Sequence, residues 1–265
     1  MDGNECCSYS AVDLDADYRK NAFSAKVLSD FSMTFTGGKI YVVMGRNGCG
    51  KSTLLRVLAG EKSYSGGHVS FECCHTKHSP SIEYMPQDYR QALFPWKTIR
   101  GNIHPWQSRE TIASTSESRD AAINRSLDLM GLRALADSYP FEVSGGQQQL
   151  ALLARCMVSD SRIVLLDEPF SAIDVIKRSM ASEHLRKHWL DTGRIVICAM
   201  HEPDEAAILA DEVLVFRGPP LTLSTCLTRG MRHEGQQVAE FRDKILSEVH
   251  SVITDEGGVH EQQYR

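Results

Sequence analysis

The chain has 265 residues, 42% of them hydrophobic and 24% charged, and a formal net charge of −5. This is an ordinary soluble composition with ample material for a core, and the acidic balance, with no basic run, points to no counterion-releasing surface, so no nucleic-acid partner is expected. No apolar stretch is long enough to span a bilayer, and the first twenty residues carry acids without an apolar signal region, so the sequence predicts a cytosolic location.

Val12, Leu14 and Ala16 alternate with aspartates, which predicts a half-exposed early strand. Val27-Leu28, Phe31, Met33 and Phe35 alternate similarly, and Gly37-Gly38 makes a turn. Ile40–Met44 is an apolar run and Thr53–Ala59 reads as a helix. Between them stands Gly45-Arg46-Asn47-Gly48-Cys49-Gly50-Lys51-Ser52. The pattern G-x-x-x-x-G-K-[ST] between strand and helix is that of a phosphate-binding loop. Its glycines let the backbone curl so that successive N–H groups converge, and the positive end of the next helix faces the same point. Lys51 is placed to reach the β- and γ-phosphates of a nucleoside triphosphate, and the Ser52 hydroxyl to hold Mg²⁺.

Ser65-Gly66-Gly67 breaks the chain before a further extended run at Val69–Phe71. Residues 107–121 are polar and predict a surface excursion. From about 121 to 138, Ile123, Leu127, Leu129-Met130 and Leu132 fall at helical spacing. Strands return at Ile163–Leu166, Ile195–Cys198 and Val213–Phe216, each separated by a helical segment. The predicted class is therefore α/β, with a parallel core and an inserted helical portion. The weakly patterned end predicts a peripheral helix and a loose tail. Of eight cysteines, Cys156 and Cys198 sit in apolar contexts and read as small buried hydrophobes. Cys73-Cys74-His75, with His78 nearby, lacks the spacing of a tetrahedral metal site, so the expected inventory is one of reduced thiols.

A second acidic motif follows. Ile163-Val-Leu-Leu-Asp167-Glu168-Pro169 puts carboxylates at the C-terminal edge of a buried parallel strand, where α/β sheets place their ligands. Asp167 is expected to hold Mg²⁺ through water, and Glu168 to orient and deprotonate the attacking water.

Val143-Ser-Gly-Gly-Gln147, ahead of Asp167, resembles the signature sequence of ATP-binding cassette (ABC) ATPases. Ser171-Ala-Ile-Asp174 resembles their D-loop, His201 their switch histidine, and Gln87 in Tyr84-Met-Pro-Gln87 their Q-loop glutamine. The motifs stand in the family's order over roughly residues 12–217. The resemblance implies an ABC-type P-loop NTPase with a mostly parallel core sheet, an antiparallel N-terminal β subdomain and an inserted helical subdomain. The ATPase domain would cover 8–230, with the helical part at about 90–160, and 231–265 would be a C-terminal helix and tail.

It further implies ATP and Mg²⁺ as cofactors, bound between two chains of a homodimer. Gly45, Arg46, Asn47, Gly48, Cys49, Gly50, Lys51, Ser52, Thr53 and Asp167 would bind the ATP of their own chain. Phe23, or Tyr18 as second choice, would stack on adenine. Ser144, Gly145, Gly146, Gln147 and Asp174 would contact the partner's ATP. Glu168, His201, Gln87 and Lys51 would act in catalysis, with Ser52, Gln87 and Asp167 around Mg²⁺. Leu93-Phe-Pro-Trp96 through Gly101-Asn-Ile103 resembles the permease-facing loop of importer subunits for nitrate, sulfonates and taurine. That likeness implies a transmembrane permease contacted through about 87–103, a solute-binding protein engaged indirectly, and a place on the cytoplasmic face of the membrane. A soluble ABC ATPase on a non-membrane scaffold, as in iron–sulfur cluster assembly, is the alternative. Leu150 departs from the pattern, standing where a basic residue is common. Cys49, inside the phosphate loop beside a helix start, is expected to make ATP turnover sensitive to thiol alkylation.

Overall fold

The computed structural model describes residues 7–20, 23–74, 80–103, 119–230 and 234–262. Its elements run β1 (Cys7–Lys20), β2 (Phe23–Thr36), β3 (Lys39–Gly45), α1 (Lys51–Leu58), β4 (Gly66–Cys73), β5 (Ile82–Met85), α2 (Ile99–Ile103), α3 (Arg119–Leu129) and α4 (Gly145–Val158). They continue with β6 (Ile163–Asp167), α5 (Val175–Thr192), β7 (Ile195–Ala199), α6 (Pro203–Leu209), β8 (Glu212–Arg217), β9 (Thr222–Thr228) and α7 (Glu234–Gln262). A six-stranded sheet has the order β5-β6-β7-β3-β8-β9. All its neighbours are parallel except β9, which runs antiparallel on the edge. A three-stranded antiparallel sheet, β2-β1-β4, packs against it. The predicted α/β class, with its mostly parallel core and antiparallel N-terminal sheet, is the observed one.

Strand alternation accounts for the layering, because successive side chains point to opposite faces. Ile40, Val42 and Met44 of β3 enter one core, which α4 to α7 cover through residues such as Leu153, Trp189, Leu209 and Phe241. Tyr41 and Val43 enter the other, which is closed by Leu54 and Leu58 of α1 and by Leu14, Leu28 and Phe35 of the antiparallel sheet. With both faces covered, β6 and β7 are buried along their length and β3 at all but its two end residues, which is why each carries an unbroken apolar run. The middle of the chain supplies α2, α3 and α4, which pack on one another.

Three features differ from the sequence expectations. The C-terminal helix is present as α7, but it is not peripheral, because its Phe241, Ile245 and Val252 are buried in the main core. Strand β9 was hidden by its composition, since an edge strand with one wet face carries Thr and Ser. The cysteines are not all reduced: Cys7 and Cys73 form a disulfide. The β1–β4 register sets them directly opposite, with their Cα atoms 4.0 Å apart. The predicted surface excursion lies largely outside the described residues, as do His75 and His78. Among the described residues no helix is long and apolar enough to cross a membrane.

Candidate nucleotide site

The parallel register carries several chain ends to one edge of the sheet. Val43 of β3 and Asp167 of β6 both pair with Ala199 of β7, so these three strands finish side by side. Beyond them lie the loop from Gly45 to Lys51, the Glu168 turn, and His201. Gln87 follows β5 at the same edge, since Met85 pairs with Leu166.

Two glycines of the loop are required by space. A Cβ on Gly45 would lie 2.4 Å from the carbonyl oxygen of Phe216, and one on Gly50 would lie 2.6 Å from Val27 Cγ1. Their φ angles of 154° and 121° are also ones that side chains disfavour. Gly50 then starts α1, which begins with Lys51. Lys51 is buried, and its Nζ donates to the carbonyl oxygens of Gly45 (2.8 Å) and Arg46 (3.1 Å). Two of its three protons are thereby used to hold the loop's curvature, and the third is left to direct at an anion.

Ser52 Oγ donates to Asp167 Oδ1 at 3.1 Å. Asp167 is 2% exposed. Burial pushes its carboxyl above the usual range, the Ser52 hydrogen bond opposes this, and the neighbouring Glu168 adds to the rise. A hydroxyl and a buried carboxylate, both hard oxygen donors, fit Mg²⁺ well. Gln87 is exposed beyond β5, and among the described residues no hydrogen bond joins it to Ser52 or Asp167.

Glu168 has φ 52°, left-handed for a residue with a side chain. Such a conformation costs about 1–2 kcal/mol and has to be held by its surroundings. Its N–H donates to Ala199 O at 3.0 Å. Its carbonyl accepts from Gln149 Nε2 at 3.0 Å. Held so, its carboxylate accepts from His201 Nδ1 at 2.6 Å, and His201 Nε2 faces Glu202 Oε1 at 3.3 Å. A carboxylate fixed by an imidazole at a buried strand end is an arrangement able to take a proton from water.

The signature segment forms a second feature. Ser144 caps α4: its Oγ accepts from Gln147 N (3.3 Å), while Gln147 Oε1 accepts from Ser144 N (2.8 Å). A cavity of about 380 Å³ opens there, lined by Ser144, Gly145, Gly146, Gln147, Asp174 and Tyr89 among others, and by no residue of the phosphate loop. Asp174 caps α5 through Lys177 N at 3.1 Å, and this hydrogen bond, with the Lys177 ammonium at 3.3 Å, holds its carboxyl below the ordinary value. Between the two features, Arg178 donates to Ile173 O (2.9 Å) and pairs with Glu205 of α6 (2.5 Å).

The profile of the family described as ABC transporter matches residues 28–171. The chain belongs to the ABC transporter family. It is an ATPase of that family, and its fold is the family's: a bacterial ABC transporter cassette solved as a dimer superposes with a TM-score of 0.70 at 21% identity, covering 84% of this chain and 100% of the other. Over 202 residues the chain is 33% identical to a taurine import ATP-binding protein of a Jannaschia species, covering 76% of this chain and 74% of that relative. It is also 35% identical over 194 residues to a nitrate import ATP-binding protein of Synechococcus elongatus; that match takes in 73% of this chain but only 29% of the longer relative.

Of the expected site residues, the structure joins Lys51 to its loop, Ser52 to Asp167 and Glu168 to His201, and it places the signature residues with Asp174 around one separate cavity. Arg46 and Asn47 are on the surface of the loop. The side chain of Phe23 lies outside the described residues, and Tyr18 on β1 is 46% exposed. Cys49 is fully buried, against the expectation of a reactive thiol at the loop. Sequence reasoning missed Gln149 and Arg178, which hold the loop between Glu168 and Asp174. A buried glutamine among three consecutive glutamines gives no sequence signal.

Proposed function

We propose that this chain is the ATP-hydrolysing subunit of an importer for a small oxyanion. In this reading the loop from Gly45 to Thr53 cradles the phosphates through backbone N–H groups, with Lys51 directed at the β- and γ-phosphates. Ser52, Asp167 and, after a movement of its exposed loop, Gln87 would hold Mg²⁺, which would supply positive charge to offset the negative charge of the phosphates. Glu168 takes the proton of the attacking water, and His201 contacts the γ-phosphate while aligning that carboxylate. The observation that carries the reading is the convergence of Lys51, Ser52, Asp167, Glu168 and His201 at one sheet edge, with a left-handed Glu168 aimed at His201.

The signature cavity has no wall from the phosphate loop, which supports its use by a second copy: Ser144, Gly145, Gly146, Gln147 and Asp174 would meet the γ-phosphate held by the partner, as the dimeric state of the similar cassette suggests. ATP then closes a homodimer and hydrolysis releases it.

Permease docking is assigned to residues 87–103. Asn102, 3% exposed, accepts from Phe94 N and donates to the carbonyls of Phe94, Lys97 and Thr98, at 2.7–3.1 Å. This staple fixes the loop so that Trp96, 70% exposed, stands out beside Phe94 with ring centroids 5.4 Å apart. An aromatic presented on a rigid loop is a suitable anchor for a partner. The names of the taurine and nitrate relatives, both import ATP-binding proteins, support an oxyanion as cargo; an external binding protein and a place on the cytoplasmic face of the membrane belong to the same proposal.

Purification of a tagged Glu168→Gln variant from native membranes with ATP tests the reading. Copurification of a polytopic membrane protein, lost on Trp96→Ala, is the expected result. A soluble scaffold in its place would overturn the importer assignment in favour of an assembly ATPase.

A further inference from the structure

Gln149 is the one polar side chain on α4 that is completely buried among the described residues, and each of its groups is used. Nε2 donates to Glu168 O (3.0 Å) and to Ser171 Oγ (3.2 Å), and Oε1 accepts from Ala172 N (2.8 Å). A buried amide with both donors and its acceptor engaged is a rigid bracket, because every alternative orientation strands a polar atom away from water. The bracket grips the turn on both sides of Pro169.

What it grips is the strained residue. Glu168 is left-handed, and its two backbone groups are pinned from opposite sides, the N–H by Ala199 of β7 and the carbonyl by Gln149 of α4 at 3.0 Å and, within the turn, by Ser171 N at 3.3 Å. Removing Gln149 leaves the carbonyl only the longer hydrogen bond from Ser171 N, and it also takes away what holds Ser171 Oγ and Ala172 N, so the turn loosens toward ordinary backbone angles and the carboxylate shifts away from His201 Nδ1. We propose that Gln149 is a positioning residue for hydrolysis: through the backbone it holds Glu168 where its carboxylate meets His201 and an attacking water. Because Ser144 caps α4, the same bracket ties the start of the signature helix to the turn that carries the base. The proposal rests on the reading of Glu168 as the general base.

The bracket has a distinctive chemistry. A protonated carboxylic acid offers one donor and one acceptor, as the amide does toward Glu168 O and Ala172 N, whereas a carboxylate offers no donor to the Glu168 carbonyl. Gln149→Glu should therefore behave as a broken bracket at high pH and a repaired one at low pH. Gln149→Leu fills the same space without polar groups and stays broken at all pH values.

The experiment measures kcat and KM for ATP from pH 5.5 to 8.5 on wild type, Gln149→Leu, Gln149→Glu and Glu168→Gln, alongside binding of a fluorescent ATP analogue. The expected result is a kcat for Gln149→Leu lowered by about tenfold or more, with KM and analogue binding within about twofold of wild type. For Gln149→Glu the deficit relative to wild type should shrink several-fold between pH 8.5 and 5.5. Wild-type kcat in both Gln149 variants would overturn the proposal, as would a loss that appears in KM alone or a Gln149→Glu deficit that does not change with pH. Should Gln149→Leu fail to fold, the pH dependence of Gln149→Glu decides alone. If Glu168→Gln itself turns over normally, the general-base reading falls; if it is inactive while the Gln149 variants are unimpaired, only the present proposal falls.

Discussion

Gly146→Ala sets two effects of opposite sign against each other. Gly146 lies in the first turn of α4, and its φ is not positive, so helix propensity alone favours alanine by up to about 1 kcal/mol. Packing opposes it. The new Cβ would sit 2.7 Å from the carbonyl oxygen of Ala172, and the contact must open by about 0.7 Å to reach the ordinary 3.4 Å. That oxygen belongs to backbone rather than to a yielding side-chain tip, and its residue is held through Ala172 N by Gln149 at 2.8 Å. Overpacking strain of about 1–3 kcal/mol, with a weakened hydrogen bond of about 1 kcal/mol, outweighs the helix gain. The net expectation is a loss of about 1–3 kcal/mol in urea unfolding together with reduced ATP turnover. Gly145→Ala is the internal comparison. There the Cβ meets Tyr89 Oη at 2.4 Å, and the next ring atom, Cζ, is at 3.4 Å. Tyr89→Phe should therefore rescue the stability of Gly145→Ala and leave Gly146→Ala unrescued. A Gly146→Ala protein more stable than wild type with undiminished turnover would refute the steric argument.

Other expectations concern buried charge and the loop. Asp167→Asn should raise the stability of the protein at neutral pH without nucleotide while abolishing Mg²⁺-dependent hydrolysis, because burial raises the Asp167 carboxyl and its ionisation works against the fold above the ordinary carboxylate range; unfolding midpoints and phosphate release read the two effects. His188, held down to about 4 chiefly by burial, stays neutral in the fold while the unfolded chain titrates near 6.5. Its contribution is complete above pH 6.5 and is lost as the pH falls toward 4, to an upper limit of about 3 kcal/mol. His188→Gln should flatten the fall in urea midpoint between pH 7 and 5, and an unchanged slope would contradict this. Lys51→Ala should weaken both ATP binding and hydrolysis, seen by analogue titration and phosphate release. Under native conditions a small alkylating reagent should leave Cys49 unmodified by mass spectrometry, since that thiol is fully buried.

Much of the site was legible because it is local in sequence. The loop at 45–52 and the acid pair at 167–168 each announce themselves within a few residues, and the flanking apolar runs reveal strands buried on both faces. What stayed hidden depends on distance. Gln149 matters only because α4 packs beside the Glu168 turn, and nothing within 145–158 says which of three glutamines faces inward. The left-handed φ of Glu168 is likewise set by partners at 149 and 199. The Cys7–Cys73 bond needed the β1–β4 register, which no local pattern encodes. Strand β5 is four residues long and β9 lies on an edge, so neither carries enough alternation to stand out. The apolar positions of α7 were diluted by charge over 29 residues.

In the proposed function, Glu168 is the base of an ATPase whose second copy completes the site. Sedimentation of Glu168→Gln with Mg²⁺ and ATP, paired with its single-turnover hydrolysis rate, tests it most directly. A stable dimer with two ATP retained, and hydrolysis slowed by about a hundredfold or more, is the expected result. A monomer that turns over ATP at the wild-type rate would contradict it.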